Sequence, residues 1–128
     1  MTKHHVLVVD DCEDVRFLLS LRLQNLGFEV LEAVDGHDAL SIIEEDYDKE
    51  IEIILLDVMM PKISGPKLIQ IIKERYEGRN IKIVCITAHY DEDIETDLRS
   101  IGVVDVIKKP IKGGVLDKRL RTIIGSAA

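Results

Sequence analysis

Three apolar, β-branched runs of this 128-residue chain end in charge: HHVLVVDD at Asp10 and Asp11, IEIILLD at Asp57, and VVDVIKK at Lys108 and Lys109. If the runs are parallel strands of one sheet, their ends set three carboxylates and an ammonium on a single edge. Carboxylates crowded within a few ångströms repel one another and raise each other's pKa. A hard divalent cation that prefers oxygen ligands, such as Mg²⁺, offsets that charge. The pattern therefore predicts a metal site beside a nucleophile.

Such an edge needs elements to build it. Val6 to Val9 reads as a strand, and Val15, Leu18, Leu19, Leu23 and Leu26 follow at helical spacing until Gly27. Glu29 to Ala33 forms a short strand, and Ala39, Leu40, Ile42 and Ile43 mark a helix that begins near Gly36. Ile51 to Leu56 is the most apolar strand, followed by a helix from about Gly65 to Tyr76 with Leu68, Ile69 and Ile72 inward and Gly78 closing it. Ile81 to Ile86 is the fourth strand, Asp91 to Ile101 an acidic helix, and Val103 to Ile107 the fifth strand. The last helix runs from Val115 to Ile124, with Leu116, Leu120 and Ile123 on one face. Five strand–helix units imply a doubly wound α/β fold with a parallel sheet covered on both sides, since parallel crossovers are right-handed. Sites in such sheets lie outside the carboxyl ends of the strands, where the charged residues fall.

Composition narrows the class. A chain of 128 residues with 46% apolar and 32% charged residues reads as one soluble globular domain. We assign residues 1–124 to the domain and 125–128 to a flexible tail. No apolar stretch approaches the ~20 residues of a membrane span, and no secretory pattern opens the chain. The expected location is the cytoplasm. Cys12 and Cys85 lack the spacing of a disulfide framework or zinc site. A net charge of −7 argues against direct nucleic-acid contact by this domain.

Four signals stand in order at strand ends: Asp10–Asp11; Asp57 with Met60–Pro61 and Gly65 beyond it; Thr87–Ala88; and Lys109–Pro110. Each dipeptide alone is common, but the ordered set resembles the receiver domain of two-component response regulators over nearly the whole chain. That resemblance implies a flavodoxin-like sheet of order 2-1-3-4-5. It also implies a phosphoacceptor at Asp57, which takes a phosphoryl group from a sensor histidine kinase, a phosphotransfer protein or acetyl phosphate. By the same resemblance Asp10, Asp11, Asp57 and the Met59 backbone carbonyl hold Mg²⁺, with Asp10 acting partly through water. Lys109 pairs with Asp57 and then with phosphate, while the Thr87 hydroxyl and the Ala88 N–H donate to other oxygens. A domain of this kind catalyses only its own phosphorylation and slow dephosphorylation, and it reports to a downstream output domain or protein. A cis Lys109–Pro110 bond would aim the lysine into the site. Asp14 reads as a helix-start residue, Lys108 as a solvated neighbour, and His4, His5 and His37 as strand-end and surface residues.

The chain also departs from its family. Members swing an aromatic ring on the fifth strand, and that position here is Val106. Coupling through His89 and Tyr90, in the loop after Thr87, is the expected substitute. Met59 and His89 each sit two residues beyond a site residue, and the His89 imidazole is expected to orient water or shield the acyl phosphate. The acidic helix reads first as a solvated face; the alternative is a surface, shared with Lys112, Lys118, Arg119 and Arg121, for an output partner or a symmetric dimer. Two other readings fit less well. An aspartyl-phosphate phosphatase needs an Asp two residues after its first-strand nucleophile, where Cys12 or Glu13 stands. A flavin or nucleotide module needs a Gly- or Ser/Thr-rich turn in place of DDCEDV.

Overall fold

Runs of Val, Ile and Leu with few polar interruptions suit strands buried on both faces, and the chain uses them that way. A computed structural model describes residues 3–59 and 63–125. Met60–Pro61 of the motif, and the tail beyond Gly125, lie outside the described residues. In chain order the elements are β1 (His5–Val9), α1 (Glu13–Asn25), β2 (Glu29–Ala33), α2 (Gly36–Glu44) and β3 (Ile51–Asp57). They continue with α3 (Gly65–Arg75), β4 (Lys82–Thr87), α4 (Glu92–Ser100), β5 (Asp105–Lys108) and α5 (Val115–Gly125). The strands form one parallel sheet in the order β2-β1-β3-β4-β5.

Because strand side chains alternate, the sheet sorts its core into two layers. Val6, Val8, Ile53, Leu55, Val84, Ile86 and Ile107 pack with Leu19 and Leu23 of α1 and Leu116, Leu120 and Ile123 of α5. On the other face Leu7, Val9, Ile54, Leu56, Ile83, Cys85 and Val106 meet α2, α3 and Leu98 of α4. The register sets Val9 beside both Ala33 and Leu56, and Asp57 beside Ile86. The charged ends of β1, β3 and β5 therefore emerge on the same edge.

Several expectations shift. Leu18 and Leu26 do not face the core: they are 59% and 39% exposed, and Phe17 and Leu21 join them outside. Helix α1 carries apolar residues all round, so periodicity alone could not select its buried side. Gly78 does not close α3. That helix ends at Tyr76, a 3₁₀ turn spans Glu77–Arg79, and the left-handed residue is Asn80, with φ 55°. β4 and β5 start later than expected, at Lys82 and Asp105, and Gly125 belongs to α5 rather than to the tail. Among the described residues no helix is long and apolar enough to cross a membrane.

Candidate functional site

One local device recurs where three strands end. The Asp10 carboxylate accepts from the Cys12 N–H at 2.9 Å, Asp57 from the Met59 N–H at 3.0 Å, and the Thr87 hydroxyl from the His89 N–H at 3.0 Å. Short polar side chains cap the amide two residues on in this way, so each strand breaks while its polar group stays at the sheet edge. After Asp57 the loop is pinned further. The Gly65 N–H donates to the Val58 carbonyl at 3.3 Å, and a Cβ on Gly65 would lie 2.8 Å from that same oxygen. The glycine in the motif is thus a requirement of close backbone approach.

These ends bring carboxylate oxygens of Asp10, Asp11 and Asp57 within 4.8 Å of one another. Asp10 and Asp57 are buried and Asp11 is exposed, so the cluster opens at one side. The Lys109 ammonium lies between the two buried acids, 3.0 Å from Asp10 and 3.3 Å from Asp57. The Lys109–Pro110 peptide is cis. Burial pushes the Asp57 carboxyl above the usual aspartate range; the Met59 N–H and Lys109 oppose the rise, and the charge of Asp10 adds to it. Burial also works against the charge on Lys109, yet Asp10 and then Asp57 hold its ammonium above the ordinary lysine range. Three oxygen donors around a charge that one ammonium only partly offsets fit a hard divalent cation such as Mg²⁺. Both Asp10 oxygens already accept hydrogen bonds, from Cys12 and Lys109, whereas Asp11 is open to solvent.

The remaining predicted residues also gather here. Thr87 is buried beside the site, and the Ala88 N–H meets no acceptor among the described residues. Met59 and His89 turn their side chains to solvent. Lys108 is exposed. Arg16 was not anticipated. Its guanidinium donates to the Asp10 carbonyl at 2.7 Å and pairs with Glu32 of β2 at 3.2 Å, tying the acidic loop to the edge strand. Its position one turn into α1 was the available signal. Cys85 lies beneath the site, where burial, with Asp57 adding, pushes its thiol up to about 12, so it stays protonated.

Val106 is buried among apolar side chains and makes no polar link outward through its side chain. A polar chain runs nearby instead. The Tyr90 hydroxyl donates to Glu95, Glu95 accepts from Arg99 at 2.7 Å, and Arg99 reaches Asp105 at 3.1 Å. Arg119 of α5 donates to the same Asp105 oxygen at 2.6 Å. Asp105, buried on the edge strand, therefore joins α4 to α5.

A parallel sheet of this order, with an acid cluster and a lysine at the carboxyl ends of its strands, defines a flavodoxin-like α/β domain with an acidic site at its edge. The profile of the response regulator receiver domain family matches residues 6–121, and the chain belongs to that family. A "Probable transcriptional regulator ycf27" of Porphyridium aerugineum is 32% identical over 97% of this chain and 49% of its own length. The chain thus spans about half the length of the curated relatives it matches first. Among solved structures, the chemotaxis protein CheY4 of Vibrio cholerae superimposes with a TM-score of 0.87 at 25% identity, covering 95% of this chain and 99% of that one. The CheX-CheY-BeF3-Mg+2 complex of Borrelia burgdorferi gives 0.86 at 27% identity, over 94% and 88%.

The raised Asp57 pKa has a stability consequence. A carboxyl that holds its proton more tightly when folded favours folding below its unfolded pKa, and that contribution is lost as pH rises through the folded value. Ionised Asp57 therefore weakens the fold at neutral pH in the absence of a divalent ion. Asp57→Asn should raise the urea midpoint at pH 7, with the gap closing below about pH 4. A midpoint at pH 7 equal to or lower than that of the parent would contradict this.

Proposed function

We propose that this receiver domain is phosphorylated on Asp57. The observation that carries the reading is a buried, 7% exposed carboxylate held 3.3 Å from an ammonium, with two more carboxylates beside it. An Asp57 oxygen attacks the donor phosphorus in line; the bond from phosphorus to the donor nitrogen or oxygen breaks and its electron pair leaves with the donor. The product is an acyl phosphate that water later cleaves at phosphorus. Lys109 already faces Asp57 and answers the added charge on a phosphoryl oxygen. The unengaged Ala88 N–H and the Thr87 hydroxyl serve the others. Thr87 can donate its proton while still accepting from His89. Asp10, Asp11, Asp57 and the Met59 carbonyl would hold Mg²⁺, which would supply charge neutralisation for the transferring group. The BeF3 and Mg²⁺ in the related Borrelia complex support this assignment.

The phosphodonor is a sensor histidine kinase or phosphotransfer protein. Its docking surface is the apolar side of α1, where Phe17, Leu18 and Leu21 stand exposed. Leu18 also lines a groove of about 390 Å³ that reaches Ala88, Lys109 and Pro110, so a partner seated there has direct access to the site. The domain acts as a signalling phosphoacceptor in the cytoplasm rather than on an external substrate. None of the comparisons supports the phosphatase reading. Output runs along the polar chain from Tyr90 to Arg119, in place of an aromatic switch at Val106, toward a downstream domain or protein. Arg119 and Arg121 are already paired within the chain, with Asp105 and Asp117, which leaves Lys112 and Lys118 as the exposed cations for a partner or a second copy.

Three outcomes are expected. Incubation with acetyl phosphate and Mg²⁺ should add one phosphoryl mass to the intact protein and none to Asp57→Asn; a gain that survives the substitution would overturn the assignment. Followed over time, the phosphorylated His89→Ala protein should decay at a rate different from the parent, and identical decay refutes a role for the imidazole. For output, beryllofluoride with Mg²⁺ should shift backbone amides of α4 and α5 in the parent but much less in Tyr90→Ala. An unchanged response removes Tyr90 from the coupling.

A further inference from the structure

A second cleft, of about 560 Å³, lies at the opposite edge of the sheet, where the strands begin. Its volume falls within the range of small-molecule sites, roughly 300–1,000 Å³. Beneath it lie the buried side chains of Ile51 and Ile53 of β3 and Ile123 of α5, with the partly exposed Ile124 beside them at the end of that helix. Two backbone irregularities converge on the cleft. Lys49 and Asn80 both have φ 55°; they are the non-glycine residues with positive φ among those described, they come from different loops, and both line the cleft.

Asparagine enters the left-handed region readily, but lysine there is strained where glycine would not be. Asp46 already fixes the turn: its carboxylate accepts from the Glu50 and Ile51 N–H groups, and its carbonyl from that of Lys49. Glycine would satisfy the same geometry, so the backbone does not explain the lysine. In a chain of net charge −7, the cleft is lined by Lys49, Arg79 and Lys82 against one carboxylate, Glu52. That carboxylate is engaged by His4, and the Arg79 guanidinium by the Ile43 carbonyl and Asp46. Lys82 commits one hydrogen bond, to the Ile123 carbonyl at 3.2 Å, and the Lys49 ammonium has no partner among the described residues. Two cations with donors to give therefore flank these isoleucines.

We propose that this cleft binds a small amphipathic carboxylate, with its tail over the isoleucines and its head between Lys49 and Lys82. The site is independent of Asp57 and does not rest on the phosphoacceptor reading. Its test is a titration of protein labelled at the isoleucine δ1 methyls, without Mg²⁺, using octanoate as probe and octylammonium as the control of opposite charge. Octanoate should shift the Ile53, Ile123 and Ile124 methyls saturably, and octylammonium should not. Losing one charged hydrogen bond weakens binding by about tenfold or more, so Lys49→Gly and Lys82→Met should each raise the Kd for octanoate by that factor. Lys49→Gly should also raise the urea midpoint, because it removes the strained lysine. Absence of saturation at millimolar octanoate, equal response to the two amphiphiles, or unchanged affinity in both variants would overturn the proposal.

Discussion

The ammonium of Lys109 between Asp10 and Asp57 is the interaction on which the rest of the site depends. A parallel sheet delivers strand ends to a common edge whatever their charge, and here that places two buried acids close together with a third at the mouth. Without a cation in their midst, burial and mutual repulsion would drive at least one carboxyl to hold its proton. Lys109 sits near enough to both buried acids to offset part of that charge, and Asp57 is still held above the ordinary aspartate range. The remaining imbalance is what makes the cluster receptive to a divalent ion. It also leaves the ammonium equidistant, to within a few tenths of an ångström, from the group that reacts and one that does not.

Around this pair the backbone does most of the positioning. Side chains at the ends of β1, β3 and β4 each bind the amide two residues on, so the acids and the hydroxyl are oriented by their own loops and need few outside supports. Arg16 is one such support, holding the Asp10 carbonyl while it pairs with Glu32. Gly65 is another, since no larger residue fits against Val58. Helix α1 thus serves two surfaces: its inner face completes the core through Leu19 and Leu23, and its outer face leaves Phe17, Leu18 and Leu21 exposed, with Leu18 on the groove that reaches Lys109.

At the β5 edge of the sheet Val106 is buried among apolar side chains, and a polar chain from Tyr90 to Arg119 links α4 to α5. Exposed ion pairs contribute little individually, typically under about 1 kcal/mol. Asp105 differs because it is buried and shared by Arg99 and Arg119, so losing either partner leaves a buried charge with less compensation. This makes the β5 edge a firm joint between two helices that otherwise pack on opposite faces of the sheet, α4 through Leu98 and α5 through Leu116, Leu120 and Ile123.

Strand identity, helix order and the charged edge were legible in the sequence because parallel strands are continuous apolar runs, and a residue that ends such a run must lie at the sheet's rim. Asp10, Asp11, Asp57, Thr87 and Lys109 could be read from that rule and from the family pattern they form. The buried side of α1 could not, since its apolar residues surround the helix and only packing against β1 and β3 chose Leu19 and Leu23 over Leu18. The left-handed residue after α3 is Asn80, closing the 3₁₀ turn that follows the helix, because asparagine tolerates a left-handed backbone as glycine does. Distances across the edge were likewise invisible: how Lys109 divides itself between two acids, and that Arg99 and Arg119 meet on one oxygen, depend on strand register and on which helix covers which face. Sequence fixes chemistry along the chain, whereas these contacts join residues up to 99 positions apart and exist only once the sheet has brought them together.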